Sequence, residues 1–218
     1  MKKVIDHSHT KEPAPLRRRG RPRAFDREAA LATATHLFWL KGYEATSILD
    51  LTAALGIAAP SLYSAFGSKD ALYAEALDFY YKTYEGLVWG SFRSASTARE
   101  AAIAYLYNSA AALTGSVCDI PRGCMATLAT VGSDGHGELS DLMRTNRAGA
   151  FTLLINRFEK AVSDGELSPS VDISKLARFL QTVQSGMSIR ARDGADRKEL
   201  EAVAEVTMLG WDALVAAQ

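Results

Sequence analysis

Apolar residues recur at helical spacing along most of the chain, and two of the shortest runs lie next to each other. The first run contains Ile48, Leu51 and Leu55, and the second contains Leu62 and Phe66. Each run places its apolar side chains on one face of a short helix, which must pack against a core. Gly56 lies where a helix often ends on a left-handed residue, and Pro60 suits the first turn of a helix. This arrangement predicts a helix-turn-helix, a unit whose second helix enters the major groove of DNA.

The same periodicity predicts helices elsewhere, and few strand-like alternations are present, so the expected fold class is all-α. The predicted helices cover residues 26–41, 47–55, 58–66, 69–84, 97–116, 138–163, 172–191 and 196–216, with a short helix over 124–128. Asp26 and Ser47 are suitable N-caps, and Thr97 with Glu100 forms a capping box. Residues 86–96 break the pattern and are predicted to be irregular. The last helix is apolar almost all round, which requires burial on more than one side.

Residues around the predicted helix-turn-helix resemble the DNA-binding signature of tetracycline-repressor-like (TetR-family) transcriptional regulators. The residues that carry the resemblance are Gly42, Tyr43, Thr46, Ser47, Gly56, Ile57, Leu62, Tyr63, Phe66, Lys69 and Leu72. The resemblance covers residues 23–77. It implies a three-helix helix-turn-helix DNA-binding domain over 24–70 and a helical effector-binding and dimerisation domain over 71–218, and composition predicts a disordered basic arm over 1–23.

The resemblance also implies how the protein works. It implies a homodimer through the helices near 172–191 and 196–216, which binds a palindromic double-stranded DNA operator. A small-molecule effector would release it, and repression follows by analogy with the family. The alternative for the last helix is the centre of a monomer's core.

The side chains expected to contact DNA are mostly small. They are Ala58, Ala59, Pro60, Ser61, Tyr63 and Ser64 in the second helix of the predicted unit, and Thr46, Ser47 and Lys69 beside it. The methyl groups of Ala58 and Ala59 can contact thymine. Tyr63 and Lys69 match the family residues that meet phosphates. Family members often carry a polar or basic residue in place of Ala59 and glycine in place of Pro60. This difference favours recognition through DNA shape and through the arm over direct contacts to base edges.

The formal net charge is zero, but the charge is unevenly distributed. Residues 1–23 hold eight basic and two acidic residues, a net charge of +6, which leaves −6 on the rest. The arginines of this arm that we expect to contact DNA are Arg17, Arg18, Arg19, Arg21 and Arg23. Residues 19–22 resemble the core of an AT-hook, which binds an A·T-rich minor groove. The alternative is a solubilising or merely phosphate-attracting tail.

The effector cavity implied by the resemblance is expected among the helices between residues 69 and 191. Its candidate lining residues are Tyr80, Tyr84, Trp89, Phe92, Tyr105, Cys124, Met125, Met143, Asn146, Arg147 and Phe151. Aromatic side chains with a few polar groups suit an amphipathic organic ligand. The apolar candidates can equally belong to an ordinary core. Arg147 can either meet an anionic effector or form a salt bridge that faces solvent.

The sequence contains none of the glycine-rich, nucleophile-elbow or zinc-protease motifs of common enzymes, so we expect neither catalysis nor a cofactor. His7 and His9 form a pair for which a solvated tail is a better interpretation than a metal site. No apolar run approaches the roughly 18 residues of a membrane span. We therefore expect no membrane partner and a cytoplasmic location.

Three other functions stay open on the sequence alone. Cys118 and Cys124 are the only cysteines, and they are either two small core residues or a thiol-based redox or electrophile sensor. An architectural DNA-binding protein without an effector would depend on the basic arm. A helical enzyme or carrier is the third alternative, and failure to bind DNA would favour it.

Overall fold

The computed structural model describes residues 25–129 and 137–216, and this part of the chain is helical without strands. Its helices are α1 (Arg27–Lys41), α2 (Ile48–Leu55), α3 (Ala59–Phe66), α4 (Lys69–Tyr84), α5 (Gly86–Ser94), α6 (Ala98–Leu113), α7 (Met125–Leu128), α8 (Gly137–Ser163), α9 (Ile173–Arg192), α10 (Arg197–Leu209) and α11 (Trp211–Val215). The all-α prediction is confirmed for these residues. The predicted basic arm and the histidine pair of the N-terminus lie outside them.

Helices α1, α2 and α3 and the first half of α4 form an N-terminal head around one apolar cluster. Each helix contributes a fully buried side chain, and Phe38, Leu51, Leu62 and Leu72 are at most 1% exposed. Helix α3 continues from α2 after a bend of 92°. The buried positions on α2 and α3 are those of the predicted apolar runs, so the helix-turn-helix has the orientation that the sequence predicts.

Local signals fix where the short helices of the head begin and end. The Ser47 hydroxyl accepts a hydrogen bond from the Asp50 N–H at 3.0 Å, and the Asp50 carboxylate accepts one from the Ser47 N–H at 2.9 Å. Lys41 donates to the same carboxylate at 2.7 Å. These bonds, first from Lys41 and then from Ser47, hold the pKa of Asp50 well below its usual range. Gly56 then ends α2 with a φ of 65°, a left-handed conformation that glycine adopts at little cost.

Helices α5, α6, α9, α10 and α11 and the later turns of α8 form a C-terminal body around a second apolar cluster, whereas α7 and the first turns of α8 pack into the cluster of the head. Helix α6 lies at its centre and packs against α5, α9 and α10. Tyr105, Phe158, Leu180 and Leu200 come from four different helices, and each is at most 1% exposed.

The predicted capping box at the start of α6 is present. The Thr97 hydroxyl accepts a hydrogen bond from the Glu100 N–H at 3.1 Å, and the Glu100 carboxylate accepts one from the Thr97 N–H at 3.2 Å.

Residues 86–96 correct the sequence prediction, because most of them form α5 rather than an irregular segment. Gly86 and Gly90 lower the helix propensity of this stretch. Both glycines are exposed, whereas Trp89 and Phe92 are buried against α6. The centroids of the Trp89 and Tyr105 rings are 4.9 Å apart. Burial of two aromatic side chains therefore outweighs the local preference.

The last predicted helix is divided in two, since α10 ends before Gly210 and α11 begins after it. Leu200 and Met208 of α10 are buried in the body, so one side of this helix packs within the chain. The opposite side of α10 does not pack within the chain, because its residues Val206 and Leu209 are 69% and 78% exposed. The nearly continuous apolar character of this segment therefore leaves an apolar surface on the body.

Within the described residues, no single helix has the length and apolar character needed to cross a membrane. The bent pair of α2 and α3 passes the same test by length and composition only. Leu51 and Leu62 of that pair are fully buried in the core of the head.

Candidate DNA interface and effector cavity

The recognition surface is the outward side of α3 together with the residue that precedes it. Its exposed residues are Ala58, Pro60, Ser61, Tyr63 and Ser64, and Ala59 is half-buried. Leu62 and Phe66 on the opposite side are buried. Tyr63 is the largest outward side chain and is 46% exposed. Helix α3 therefore has one face in the core and one face of mostly small side chains that is free to approach DNA.

Thr46 corrects the predicted set of DNA contacts. Its side chain is fully buried, and its hydroxyl donates to the Gly42 carbonyl at 2.6 Å. This residue closes the turn between α1 and α2 from the inside, so it does not belong to the outward surface. Its neighbour Ser47 is exposed, although its hydroxyl is engaged in capping α2.

Lys69 begins α4 beside the recognition helix, and its ammonium group lies over an aromatic ring. The Nζ atom is 4.1 Å from the centre of the Tyr43 ring, a cation–π arrangement. The Tyr43 hydroxyl in turn donates to the Asp70 carboxylate, and burial together with this bond raises the pKa of Tyr43. Ser68 caps the same helix by accepting from the Ala71 N–H at 3.0 Å. Lys69 is thereby held at a helix N-terminus, which also attracts anions.

A cavity of about 460 Å³ lies in the body, where α4, α5, α6, α7, α8, α9 and the loop before α7 surround it and α1 contributes one residue. Its aromatic lining residues are Trp39, Tyr80, Tyr81, Tyr84, Trp89 and Tyr105. Its polar and charged lining residues are Glu85, Thr127, Arg144, Asn146, Arg147, Arg178, Gln181, Thr182, Gln184 and Ser185. This volume falls within the range of about 300–1,000 Å³ that is typical of small-molecule sites. The cavity therefore has the size and mixed lining of a site for an amphipathic ligand.

Seven of the predicted cavity residues do line this cavity. They are Tyr80, Tyr84, Trp89, Tyr105, Cys124, Asn146 and Arg147. Burial raises the pKa of Tyr80, Tyr81 and Tyr105 far above the ordinary value for tyrosine. These phenol groups are therefore neutral hydrogen-bond donors at physiological pH.

Four other predicted residues lie outside the lining, which corrects the prediction. Phe92 packs edge-on against Trp89, with ring centroids 5.0 Å apart. Met125 and Met143 are 3% and 1% exposed and belong to the apolar cluster of the head. Phe151 packs under the Arg178 guanidinium at 3.8 Å. Each of these side chains fills a packed core or supports another residue.

The lining residues from α1 and α9 were not predicted from the sequence. Trp39 belongs to the DNA-binding head, and no periodic signal indicates that its ring reaches the body. Gln184 lies within an apolar stripe on α9 and is only 9% exposed. A buried glutamine in such a stripe is the one signal that a sequence reader could have used.

A loop before α7 joins the head to the body through its backbone. The Trp39 indole N–H donates to the Gly123 carbonyl at 2.7 Å, and the Cys124 N–H donates to the Ser188 hydroxyl of α9 at 2.8 Å. Gly123 has a φ of 77°. A Cβ atom there would lie 2.5 Å from a methyl group of Leu128 and 2.9 Å from the Ser188 carbonyl oxygen. Only glycine therefore fits where these three elements meet.

Arg192 makes a second connection between α9 and the head. Its guanidinium donates to the carbonyl oxygens of Trp39 at 2.8 Å and Leu40 at 2.9 Å. These carbonyls lie in the last turn of α1, where helix carbonyls lack intrahelical partners. Burial lowers the pKa of Arg192, and its buried Nε atom has no hydrogen-bond partner among the described residues. A partly buried cation thus caps α1 from a distant part of the chain.

The two cysteines have different surroundings. Cys118 is exposed, whereas Cys124 is half-buried in the cavity wall. The Tyr80 hydroxyl donates to the Cys124 sulfur at 3.3 Å. Both thiols are free, and the structure contains no disulfide between them. In the described part of the chain, no group of three or more His, Cys, Asp or Glu side chains is arranged to hold a metal ion.

An exposed recognition helix on a small head, joined to a helical body with a cavity, defines the class of helix-turn-helix transcriptional regulators. The comparisons agree. The family described as "Bacterial regulatory proteins, tetR family" matches residues 30–76. The transcriptional repressor ComR of Escherichia coli is 36% identical over 90% of this chain and 94% of its own length. The repressor BdcR of Escherichia coli is 29% identical over 85% and 88% of the two chains.

A solved structure of a cysteine mutant of the TetR-family regulator CifR, in complex with a 26-base-pair operator DNA, is also similar. It is 37% identical, covers 88% of this chain and 100% of its own, and has a TM-score of 0.82. The chain therefore belongs to the TetR family, and it is a DNA-binding transcriptional regulator. This confirms the resemblance and the fold class predicted from the sequence.

Proposed function

We propose that this protein is a homodimeric repressor that leaves its operator when a small molecule fills the cavity of the body. One observation carries this proposal most directly: Trp39, a residue of the DNA-binding head, is itself part of the cavity wall. A ligand in the cavity would therefore touch the head and the body at once. Because the proposed partner is chromosomal DNA, we expect the protein to act in the cytoplasm.

The contacts of Trp39 suggest how a ligand would change DNA binding. Its indole is bonded to the Gly123 carbonyl, and its own carbonyl accepts from Arg192. Tyr80 and Tyr84 of α4 pack edge-on against the same indole, with ring centroids 4.7 and 5.3 Å away. A ligand that repacks this group would tilt α1 and α4 together. It releases DNA only if it binds the tilted state more tightly than the DNA-binding state.

The proposed DNA contacts follow from exposure and from the similar regulators. They comprise Ser47, Ala58, Ala59, Pro60, Ser61, Tyr63, Ser64 and Lys69, with the arginines of the N-terminal arm. The two Escherichia coli relatives are named repressors, and CifR binds a double-stranded operator, which supports repression through an operator here. Two recognition helices of a dimer would read half-sites about 34 Å apart, so we expect an approximately palindromic operator.

The proposed dimer interface is the exposed apolar side of α9, α10 and α11. Large apolar side chains are exposed there, namely Phe179, Ile189, Val203, Val206, Leu209 and Leu214. Several large exposed apolar side chains on adjoining helices of a monomer often mark a protein–protein contact. A second copy that applies the same helices would cover both sets at once.

Selection of genomic DNA fragments by the purified full-length protein, at near-physiological salt, tests the proposal. We expect a compact palindromic site, and we expect Tyr63→Phe and Lys69→Ala to weaken binding to all fragments. Recovery of only diffuse A·T-rich DNA would contradict this proposal and would favour an architectural protein held by its arm. Failure to bind any DNA would favour the helical enzyme or carrier.

Regulation through a thiol is a second candidate, because the Cys124 sulfur lies in the cavity wall. An electrophilic effector such as an α,β-unsaturated ketone would form a bond from this sulfur to its β-carbon, and its α-carbon would take up the thiol proton. Mass spectrometry after exposure to methyl vinyl ketone tests this candidate. A single adduct that Cys124→Ser removes, together with loss of operator binding, would support it. An adduct on the exposed Cys118 alone, with operator binding intact, would exclude it.

A further inference from the structure

The cavity contains polar side chains whose hydrogen-bonding capacity is not used by the described residues. Gln184 of α9 is 9% exposed and Tyr105 of α6 is 1% exposed, and both line the cavity. Neither side chain makes a hydrogen bond to another of the described residues. Buried polar groups in folded proteins are nearly always paired. Two unpaired groups facing one cavity are therefore placed to bind a polar group of a ligand.

Arg147 of α8 adds a positive charge to the same cavity. Its guanidinium is half-buried and makes one long hydrogen bond, to the Ala126 carbonyl at 3.4 Å. No carboxylate pairs with it among the described residues. Its charge acts on the wall of the cavity, because it opposes the rise that burial causes in the pKa of Tyr81. Most of its N–H donors are therefore available to a ligand.

The remaining charges around the cavity are already compensated or also positive. Glu85 is the only acidic residue among the described residues of the lining, and it pairs with Arg93 at 3.2 Å. Arg144 forms a salt bridge with Asp141. Arg178 packs on an aromatic ring and, like Arg147, has no carboxylate partner in the described part of the chain. The uncompensated charge of the lining is thus positive, and its unpaired amide and phenol groups can both donate.

We infer that the effector is an aromatic carboxylate, with its ring system among the tryptophan and tyrosine side chains and its carboxylate on Arg147, Gln184 and Tyr105. This inference rests on the proposed function and names the ligand class for that site. A carboxylate accepts several hydrogen bonds at once, and a guanidinium binds it through charge-assisted pairs. The tryptophan and tyrosine rings of the lining suit a flat hydrocarbon body. A cationic ligand would leave Arg147 opposed by a like charge.

Calorimetric titration of the full-length protein with matched acids and amides tests the inference. The probes are 2-naphthoate with 2-naphthamide, and indole-3-acetate with indole-3-acetamide, because each pair differs in charge but hardly in shape. We expect each acid to bind about tenfold to a hundredfold more tightly than its amide, the usual worth of a charged hydrogen bond. Arg147→Gln should bring the two affinities together, and Arg147→Lys should restore part of the difference.

Lys160→Gln is the matched control, since Lys160 lies on the same helix, outside the cavity lining, and already has an acidic partner in Asp164 at 2.6 Å. It should leave the ratio of acid to amide affinity within about twofold, because it does not share the proposed contacts. Unchanged amide binding by Arg147→Gln would show that its cavity is intact. Gln184→Leu and Tyr105→Phe should each weaken acid binding more than amide binding.

Three outcomes would overturn the inference. If the amides bind as tightly as the acids, the cavity binds ligands but does not require an anionic group. Equal losses of acid affinity in the variants at residues 160 and 147 would show that the effect is general electrostatics. Binding of none of the four probes at millimolar concentration would exclude this ligand class. The operator selection described above then decides separately whether the regulator function itself survives.

Discussion

The recognition surface and the effector cavity are built in opposite ways. The recognition surface belongs to one eight-residue helix, α3, and polar groups of the neighbouring α2, such as the pair of Ser47 and Asp50, satisfy each other locally. The cavity takes its wall from seven helices and the loop before α7, and Gln184, Tyr105 and Arg147 have no strong partner among the described residues. Short-range signals thus produce a rigid DNA reader, whereas long-range assembly produces a site with free binding capacity.

The largest expected effect comes from disruption of the proposed dimer, which should weaken operator binding by the recognition surface but not ligand binding by the cavity. Combined Val206→Asp and Leu209→Asp substitutions place charges on the exposed side of α10, so we expect a monomer. Operator affinity should fall by about hundredfold or more, because the avidity of two linked heads is lost. The cavity lies within one chain, so ligand affinity should stay unchanged. Sedimentation velocity and operator titration measure the two quantities.

Val117→Asp is the control for that pair, since Val117 is 55% exposed outside the proposed interface. It should remain dimeric and bind the operator normally. A dimeric double variant with normal operator binding would contradict the proposed interface.

Gly123→Ala tests the joint between the regions. The new methyl group would meet Leu128 and Ser188 at a residue with positive φ, so we expect a loss of about 2–4 kcal/mol in the free energy of unfolding. Gly90→Ala is the matched control, because Gly90 lies within α5 with open space around it. That variant should gain about 0.5–1 kcal/mol. Urea unfolding measures both, and equal effects would contradict the close packing at Gly123.

Trp39→Phe keeps an aromatic ring in the cavity wall but removes the donor to Gly123. We expect a loss of about 1–3 kcal/mol in unfolding free energy, because a buried carbonyl is left unpaired. Trp89→Phe is the control, because it removes an indole from the same cavity wall. The Trp89 indole makes no hydrogen bond to a described residue. The difference between these two variants isolates the bond. A ligand that still lowers operator affinity normally in Trp39→Phe would show that the bond does not couple the regions.

Ser47→Ala gives the smallest expected effect and belongs to the head alone. Loss of the capping hydroxyl should cost about 0.5–2 kcal/mol of stability. Operator affinity should fall slightly, while ligand affinity of the cavity should not change. Ser61→Ala, on the outward face of α3, is the comparison, because it removes a hydroxyl without removing a cap. Equal destabilisation by both variants would contradict the capping role.

The helices of the head were predictable because the residues that determine their ends and their buried faces lie close together in the sequence. Ser47 with Asp50, Gly56, and the spacing of Leu62 and Phe66 fix two helices and the turn between them. Thr46 is the exception, because its exposure depends on the path of the chain from α1 and not on its own type. A hydroxyl next to an N-cap looks the same in sequence whether it faces DNA or the core.

The cavity was only partly predictable, since its lining depends on which helices meet. Tyr80 and Tyr84 were found because they share one face of α4. Met125 and Met143 were assigned to the cavity, yet they fill the core of the head, where an apolar side chain is equally suited. Helix α5 was not predicted because its two glycines lower the local helix propensity. The burial of Trp89 and Phe92 that stabilises it depends on contact with α6, which the local sequence pattern does not show. Trp39 lies on a helix of another region, and no local pattern connects it to α9.

The bond from Arg192 to the end of α1 has a consequence for biosynthesis. The two carbonyls that it caps belong to residues made early, whereas Arg192 follows them by about 150 positions. During translation the last turn of α1 therefore emerges with only its backbone cap at Gly42, and the two hydrogen bonds from Arg192 are still missing. They can form only after most of the chain has been made.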